Sequence, residues 1–460
     1  MTHMELAERL VDRARRAGAE EAEAYVEEAR RVDIRVRDGG AESVSYTNTS
    51  GYGLRVLIDG KLGFASSNNL DAEEAQGIIK RLVAQTAYET PDEHNVLPAL
   101  PKSVIGDSSL EQYDEAVLAM PVEEKVKLAV ALETTARQAD RLIVNVPWVQ
   151  YGDSAREFAV ASSRGIAGRA RRTEIFGAVI AAAMETSSNG QPDPASVQTG
   201  IGIGVKAKAA EFDPGAVGRK AAAYALRMLG AVDGETDEMA GVFPPETGSE
   251  FVKLIADMTA ADLVQKKKSL FAGKLGEIVA SNIVTIIDDG RLKKGLGSSA
   301  IDAEGVPTTT TKIIAGGRLV GLMHDSYTAH RAGASLTGNA MREAFDAKPV
   351  IGPTNFYLAP GNLSRETLMA SIKKGLFVTE LSGLHASVDQ VTGDFSIPAK
   401  GIRIVDGEMA TPLRNITISG NIFGFLGNID AVADDLSWEA SEHVIGAPTF
   451  KVRAIKISGK

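Results

Sequence analysis

Apolar residues change their spacing along this chain, and the changes mark its elements. Across residues 4–17, Leu6, Leu10 and Val11 share one side of a helix whose other side is Arg and Glu, and Gly18 stops it. The period then drops to two. Ala24-Tyr25-Val26 and Val32-Asp33-Ile34-Arg35-Val36 alternate as strands do. Residues 51–65 read as two strands around the Asp59-Gly60 turn. Asp71 and Glu74 suit a capping box for a helix to about Tyr88. Residues 91–101 are punctuated by proline and read as a linker. Pro121 opens a helix to about Ala139. Residues 144–208 are strand-like, interrupted by a polar loop at 187–196, and Asp213-Pro214 starts a helix to about Leu229.

The stretch 231–248 is rich in Gly, Glu and Pro, so the main boundary is expected there. Ser249 is expected to cap a helix that buries Phe251, Val252, Leu254, Ile255, Met258, Leu263 and Val264. After Gly273 the pattern is strands and Gly turns, broken by a helix that Ser364 caps and Gly375 ends. Helices mix with hairpins without a regular βαβ alternation. The expected fold class is α+β: an N-terminal mixed region of antiparallel sheets and helices, then a mostly antiparallel β domain with few helices. The expected divisions are 1–100, 101–230 and 231–460.

Composition narrows the chemistry. The chain has 460 residues, 44% of them hydrophobic but only 5% aromatic, so its core is aliphatic. The net charge is −10. Its dense basic runs, Arg169–Arg172 and Lys266–Lys268, are short and flanked by acids, so neither nucleic acid nor a membrane surface is an expected partner. There is no cysteine, which excludes disulfides, thiolate metal sites and cysteine nucleophiles. The start of the chain is polar and no stretch approaches a membrane span, so the expected location is cytoplasmic.

Generic motifs yield no active site. Gly200-Ile201-Gly202-Ile203-Gly204 looks like a dinucleotide loop, but the apolar alternation continues through it, as in a Gly-bearing strand. Gly295-Leu296-Gly297-Ser298-Ser299 lacks the Gly-Lys-Ser/Thr of a phosphate loop. No Gly-x-Ser-x-Gly elbow exists. The six histidines are never three or four apart; His324 and His330 stand six apart around a turn. Asp288-Asp289 and Asp434-Asp435 precede turn signals and read as turn chemistry.

A series of stretches resembles the TldD/PmbA metallopeptidase family. They include Ser269-Leu270-Phe271-Ala272-Gly273-Lys274-Leu275-Gly276, Asp288-Asp289-Gly290, Gly295-Leu296-Gly297-Ser298-Ser299 and Asp302-Ala303-Glu304-Gly305-Val306-Pro307-Thr308. Asp325-Ser326-Tyr327-Thr328-Ala329, Thr337-Gly338-Asn339-Ala340, Val378-Thr379-Glu380-Leu381 and Val391-Thr392-Gly393-Asp394-Phe395-Ser396 follow. Ile418-Ser419-Gly420-Asn421 and Ile445-Gly446-Ala447-Pro448-Thr449 complete the series, in the family's order.

The resemblance carries implications. TldD-like members hold zinc with His-Glu-x-x-x-His on a helix and a later cysteine; PmbA members, also called TldE, lack these groups. Aligned from Ser269, the motif falls on Val252, Lys253 and Asp257, and the cysteine has no counterpart. The resemblance therefore implies no catalytic or metal residues in this chain and no cofactor of its own. Zinc is expected in a TldD-like partner subunit of a heterodimer that cleaves unfolded peptides, with a homodimer as the form in isolation. This chain would act as scaffold and part of the substrate channel. The alternatives are a stand-alone peptide-binding pseudopeptidase and a peptidase with non-zinc chemistry. Lys253 and Asp257 are expected to pair on the helix surface. An exposed strand edge suits unfolded peptide, and the β-rich run at 376–381 is the expected edge. Val378, Thr379, Glu380 and His385 are the candidate peptide contacts.

Overall fold

The computed structural model describes residues 1–100, 103–105, 108–186, 191, 193–440 and 442–459. The alternating segments of the first half join one seven-stranded sheet. Its order is Lys61–Ser67, Gly40–Ile58, Glu21–Arg37, Ile143–Ser162, Ile166–Ala183 and Ser103–Ile105, with Gln198–Lys206 also on Ile166–Ala183. The two runs expected at 24–26 and 32–36 are one 17-residue strand, Glu21–Arg37. Asp59 and Gly60 both take positive φ, as a two-residue hairpin turn requires.

Side-chain alternation along Glu21–Arg37 gives the sheet two different faces. Ala22, Ala24 and Val26 pack under helices His3–Arg16 and Ala75–Thr86. Val32, Ile34 and Val36 lie on that same face, under helices Val122–Gln138 and Pro214–Leu226. Glu23, Tyr25 and Glu27 point the other way and are also buried, against the second half of the chain.

In that half, strands Phe450–Ser458, Asp237–Phe243, Lys374–Leu381, Asp394–Val405 and Glu408–Asn421 pair in sequence. Phe450–Ser458 then pairs with Glu408–Asn421, which closes a five-stranded barrel. Ile429–Val432 and Val232–Asp233 add to it. A six-stranded sheet runs Arg318–Leu319, Thr310–Ala315, Ile286–Asp289, Asn355–Leu358, Val444–Ala447 and Ser437–Ala440. The few aromatic residues concentrate here: Phe251 stacks on Phe425 with ring centroids 4.2 Å apart, and Phe243 stacks on Phe450 at 5.3 Å. The fold class is α+β, with antiparallel pairing dominant. No helix among the described residues is long and apolar enough to cross a membrane.

A buried charge network joins the halves. Arg55 donates through Nε to Glu23 (3.0 Å) and through Nη2 to Glu23 (2.5 Å) and Glu304 (2.9 Å). Arg342 Nη2 donates to Glu23 at 2.5 Å, and its guanidinium lies 4.9 Å from the Tyr25 ring centroid. Arg156 Nη2 reaches Glu27 at 2.6 Å and the Arg342 carbonyl at 3.0 Å. Ser326 donates its N–H and Oγ–H to Glu304 at 2.9 and 2.6 Å. Beside them, burial, with the Glu304 charge adding to it, pushes the Asp302 carboxyl well above the usual range.

The Gly200–Gly204 run is a strand, as its alternation indicates. A Cβ at Gly200 would lie 2.3 Å from the Ala221 carbonyl oxygen, and one at Gly202 would lie 2.2 Å from that of Val217. Helix Pro214–Leu226, Ala-rich on its buried side, thus rests directly on strand backbone.

Several boundaries differ from expectation. The helix assigned to Ser249 begins at Pro245, because Pro244 and Pro245 themselves set the first turn; Ser249 is buried and bonds the Glu246 carbonyl. Gly375 does not end a helix. Helix Arg365–Ala370 is capped by Ser364 and stops earlier, and Gly375 sits in strand Lys374–Leu381, 3.0 Å from the Ala240 carbonyl at its Cβ position. Asp71 makes a turn with Glu73 N–H at 2.7 Å, and the next helix starts at Ala75 with no side-chain cap. Of the polar loop expected at 187–196, residues 187–190 and 192 lie outside the described residues, and Pro194–Ser196 form a 3-10 turn. Pro101, at the end of the expected linker, also lies outside them.

Two outcomes test these contacts. Arg55→Met leaves buried Glu304 without its arginine and Glu23 with Arg342 alone, and should lower unfolding free energy by about 3–5 kcal/mol. The exposed Arg30→Met should change it by less than about 0.5 kcal/mol, both read by urea denaturation. Gly202→Val should cost about 3 kcal/mol or more by lifting the helix from the strand. Gly424→Ala, whose Cβ meets nothing within 4 Å, should be neutral or stabilising by about 0.5–1 kcal/mol.

Candidate functional site

Helix Pro245–Met258 carries the positions that the sequence aligns with a metal motif. Its apolar residues Phe251, Val252, Leu254, Ile255 and Met258 are all buried. Glu250, Lys253 and Asp257, spaced three and four apart, share the remaining face. Strand Ser437–Ala440 and the turn after it bring Glu439, Glu442 and His443 to that face. Lys253 Nζ meets Glu442 at 2.8 Å, so its ammonium is engaged across the groove.

The electrostatics of the face are uneven. Burial pushes the Glu250 carboxyl up to about 7, with Glu380 and Glu439 adding repulsion and Lys253 opposing. Glu380 and Glu439 are themselves paired, to Lys400 at 2.8 Å and Lys220 at 2.9 Å. Burial holds the His443 imidazole below its usual value, against the pull of Asp257 and Glu442, and its Nδ1 has no hydrogen-bond partner. Asp257 and His443 open onto a cavity of about 490 Å³, lined further by Asp262, Lys266, Asp325, Tyr327, Arg331 and residues 349–353.

These residues do not fit a zinc ion. Val252 offers no donor and is packed in the core. Lys253 is a paired ammonium. Asp257 and His443 remain, short of the three or four donors of a stable site. Among the described residues, no group of three or more His, Cys, Asp or Glu is arranged to hold a metal.

The expected peptide contacts separate. Strand Lys374–Leu381 lies between Asp237–Phe243 and Asp394–Val405, so it is interior to the barrel and not an open edge. Val378 and Thr379 are buried, and their carbonyls accept from Thr247 Oγ1 and Arg227 Nη2, each at 3.1 Å. The continuous apolar run Leu376-Phe377-Val378 is the physical reason, since a strand covered on both faces needs one. Glu380 alone reaches the motif face, beside Glu250. His385 lies in the short helix Leu384–Ser387.

The other singled-out residues serve structure. His324 Nδ1 stands 3.2 Å from Thr328 Oγ1, while the His330 ring faces His94, 5.7 Å between centroids. Asp289 accepts the Arg291 N–H at 2.9 Å in a turn, whereas Asp288 is fully buried, accepts from Asn339 and the Thr354 N–H (both 2.7 Å), and is pushed up to about 6 by burial. Sequence reasoning missed Glu250, Glu439, Glu442 and His443. Glu250 had a signal in its helical spacing from Lys253 and Asp257; the other three are distant in sequence.

The Glu250 environment fixes a pH dependence. A carboxyl raised from 4.5 to about 7 keeps its proton in the folded chain after the unfolded chain has lost it. Stability should therefore fall as pH rises from about 4.5 to 7 and level off above. Glu250→Gln should flatten that slope and gain roughly 1–2 kcal/mol at pH 8, after discounting for partial exposure, by urea unfolding at pH 5 and 8.

Comparison with known proteins places the whole chain. Models of the PmbA/TldA metallopeptidase family match it in three consecutive parts: domain 1 on residues 22–86, the central domain on 115–229 and the C-terminal domain on 236–459. A metalloprotease of Methanothermobacter thermautotrophicus is 30% identical over 415 residues, 88% of this chain and 86% of that protein. Metalloprotease PmbA of Escherichia coli O157:H7 is 27% identical over 447 residues, 95% and 92% of the two chains. The solved structure of TldE from Thermococcus kodakarensis shares the fold, with a TM-score of 0.85 at 22% identity over 99% of this chain and 100% of that one. This chain belongs to the PmbA/TldD metallopeptidase family.

Proposed function

We propose that this chain is the non-catalytic, TldE/PmbA-like subunit of a zinc peptidase that acts on unfolded peptides. One observation carries the reading. The helix that bears the family's metal motif keeps its packing residues and has lost its donors, with Val252 in the core and Lys253 tied to Glu442. The chain also has no cysteine to complete a site. Such a helix still holds the barrel to the six-stranded sheet. The subunit then contributes scaffold and part of a substrate channel, and a TldD-like partner contributes zinc and the catalytic base. The cavity beside Asp257 and His443 is the segment of channel this chain would line, with Lys266, Arg331, Asp262 and Asp325 presenting both charge signs to a peptide. A cytoplasmic location suits a subunit free of disulfides.

The test is reconstitution. The purified chain alone should hold well under one zinc per molecule by metal analysis and should leave an unfolded reporter peptide intact. Adding a family member that bears His-Glu-x-x-x-His should produce hydrolysis that a chelator abolishes. Chelator-insensitive hydrolysis by the chain alone would replace this reading with non-zinc chemistry. Tight peptide binding with no stimulation of any such partner would replace it with a stand-alone binding role.

A further inference from the structure

The cavity beside Asp257 and His443 has walls of two kinds. Ala256, Leu263, Met323 and Ile351 give it an apolar lining. Asp257, Gln265, Asp325 and His443 bring polar groups to the same space. Its volume of about 490 Å³ is enough for one long side chain with its flanking backbone. An apolar wall that leads to polar groups suits a ligand with a hydrocarbon stem and a polar head.

The sign of that head follows from which groups are already engaged. Lys266 Nζ is tied to Asp262 at 3.0 Å, so that pair cancels. Lys253, on the adjoining face, is held by Glu442 at 2.8 Å. Arg331 is exposed at the rim, on the side of Asp92. Burial holds the His443 imidazole below its usual value, so it is neutral at pH 7. Asp257 and Asp325 thus face Arg331 alone, and the cavity carries an excess of negative charge. Burial raises the Asp325 carboxyl against the hydrogen bonds it accepts from Thr328, and a cation in the cavity would oppose that rise. Gln265 adds an acceptor. Its Nε2 donates to the Thr328 carbonyl at 2.8 Å, while its Oε1 is buried with no hydrogen-bond partner among the described residues. A buried acceptor without a donor costs free energy, and a ligand N–H would supply the donor.

The same cavity has a place for main chain. Strand Val350–Ile351 pairs with Ala340–Met341 and, among the described residues, with no other strand. Both of its residues line the cavity, and Val350 is 61% exposed. Its second edge can take one extended segment, whose side chains alternate from one side to the other. We propose that this cavity selects a long cationic side chain, lysine or arginine, of an extended peptide. The stem lies on the apolar wall and the charged head among Asp257, Asp325 and Gln265 Oε1. The inference rests on the reading of the cavity as a segment of substrate channel and adds what that segment prefers.

The test is fluorescence anisotropy on the purified chain, with no zinc-bearing partner present. The probes are labelled, unstructured Gly/Ser peptides that differ at one central residue. Lysine and arginine peptides should bind about tenfold or more tightly than the norleucine peptide, which keeps the stem and lacks the charge. The glutamate peptide should bind most weakly. Asp257→Asn should cut the lysine-to-norleucine ratio about fivefold or more and leave the norleucine affinity unchanged, whereas a merely structural role would shift both. Pentylammonium, the side chain without main chain, should compete about a hundredfold more weakly than the lysine peptide. Equal binding of lysine and norleucine, a preference for glutamate, or a ratio indifferent to Asp257→Asn would each overturn the inference. So would pentylammonium as strong as the peptide, or no binding of any peptide. The subunit role is judged separately: hydrolysis by the reconstituted pair without any lysine preference would remove the selectivity and keep the role.

Discussion

The arrangement of this protein depends on one buried charge cluster. Glu23, Glu27 and Glu304 meet Arg55, Arg156 and Arg342 where the N-terminal sheet abuts the second half of the chain. Carboxylates and guanidiniums are matched three to three, and hydrogen bonds from Ser326 occupy Glu304 further. An isolated ion could not stand there, because desolvation would cost several kcal/mol. Matched ions can, but only in one relative placement of the two halves. The cluster therefore contributes specificity of docking more than net stability. It also turns the second face of the sheet, which an apolar layer would leave free to slide, into a keyed surface.

Around that joint, packing relies on small residues. Gly200 and Gly202 admit helix Pro214–Leu226 onto bare strand backbone, and Gly218 of that helix admits helix Val122–Gln138, with its Cβ position 2.7 Å from the Leu132 carbonyl. Close approach gains dispersion contacts that larger side chains would forbid. Bulk is kept for the barrel, where Phe243, Phe251, Phe395, Phe425 and Phe450 touch one another. Helix Pro245–Met258 supplies Phe251 to that cluster. Its retention without metal donors follows, since its apolar side is part of the core and its polar side is not.

That polar side has become an ionisable groove. Beside the buried Val252, the motif positions on this face hold an engaged ammonium, Lys253, and Asp257, with His443 brought up from another segment and, one turn away, Glu250, whose carboxyl burial pushes up to about 7. The groove leads into the cavity by Asp257 and His443. The family stretches Asp288-Asp289-Gly290, Gly295-Leu296-Gly297-Ser298-Ser299 and Thr337-Gly338-Asn339-Ala340 are structural by contrast. Asp288 holds Asn339 and Thr354, and Asn355 ties the Gly297 N–H to Ser298. Buried polar groups must be paired, and such pairs tolerate few substitutions.

Local periodicity determined much of this on its own. The first helix, the Asp59-Gly60 hairpin, the helices opened by Pro121 and Asp213-Pro214, and the Gly200–Gly204 strand were legible because each depends on residues near one another. That residues 252 and 253 are Val and Lys is read from the sequence directly. Tertiary structure alone decided the rest. Nothing local separates an interior strand from an edge, so Val378 and Thr379 passed for an open edge. Nothing local shows that Glu23 and Arg342, 319 residues apart, will form a buried ion pair. A charge reads as solvated until its partner arrives, and the partner arrives only when the chain has folded.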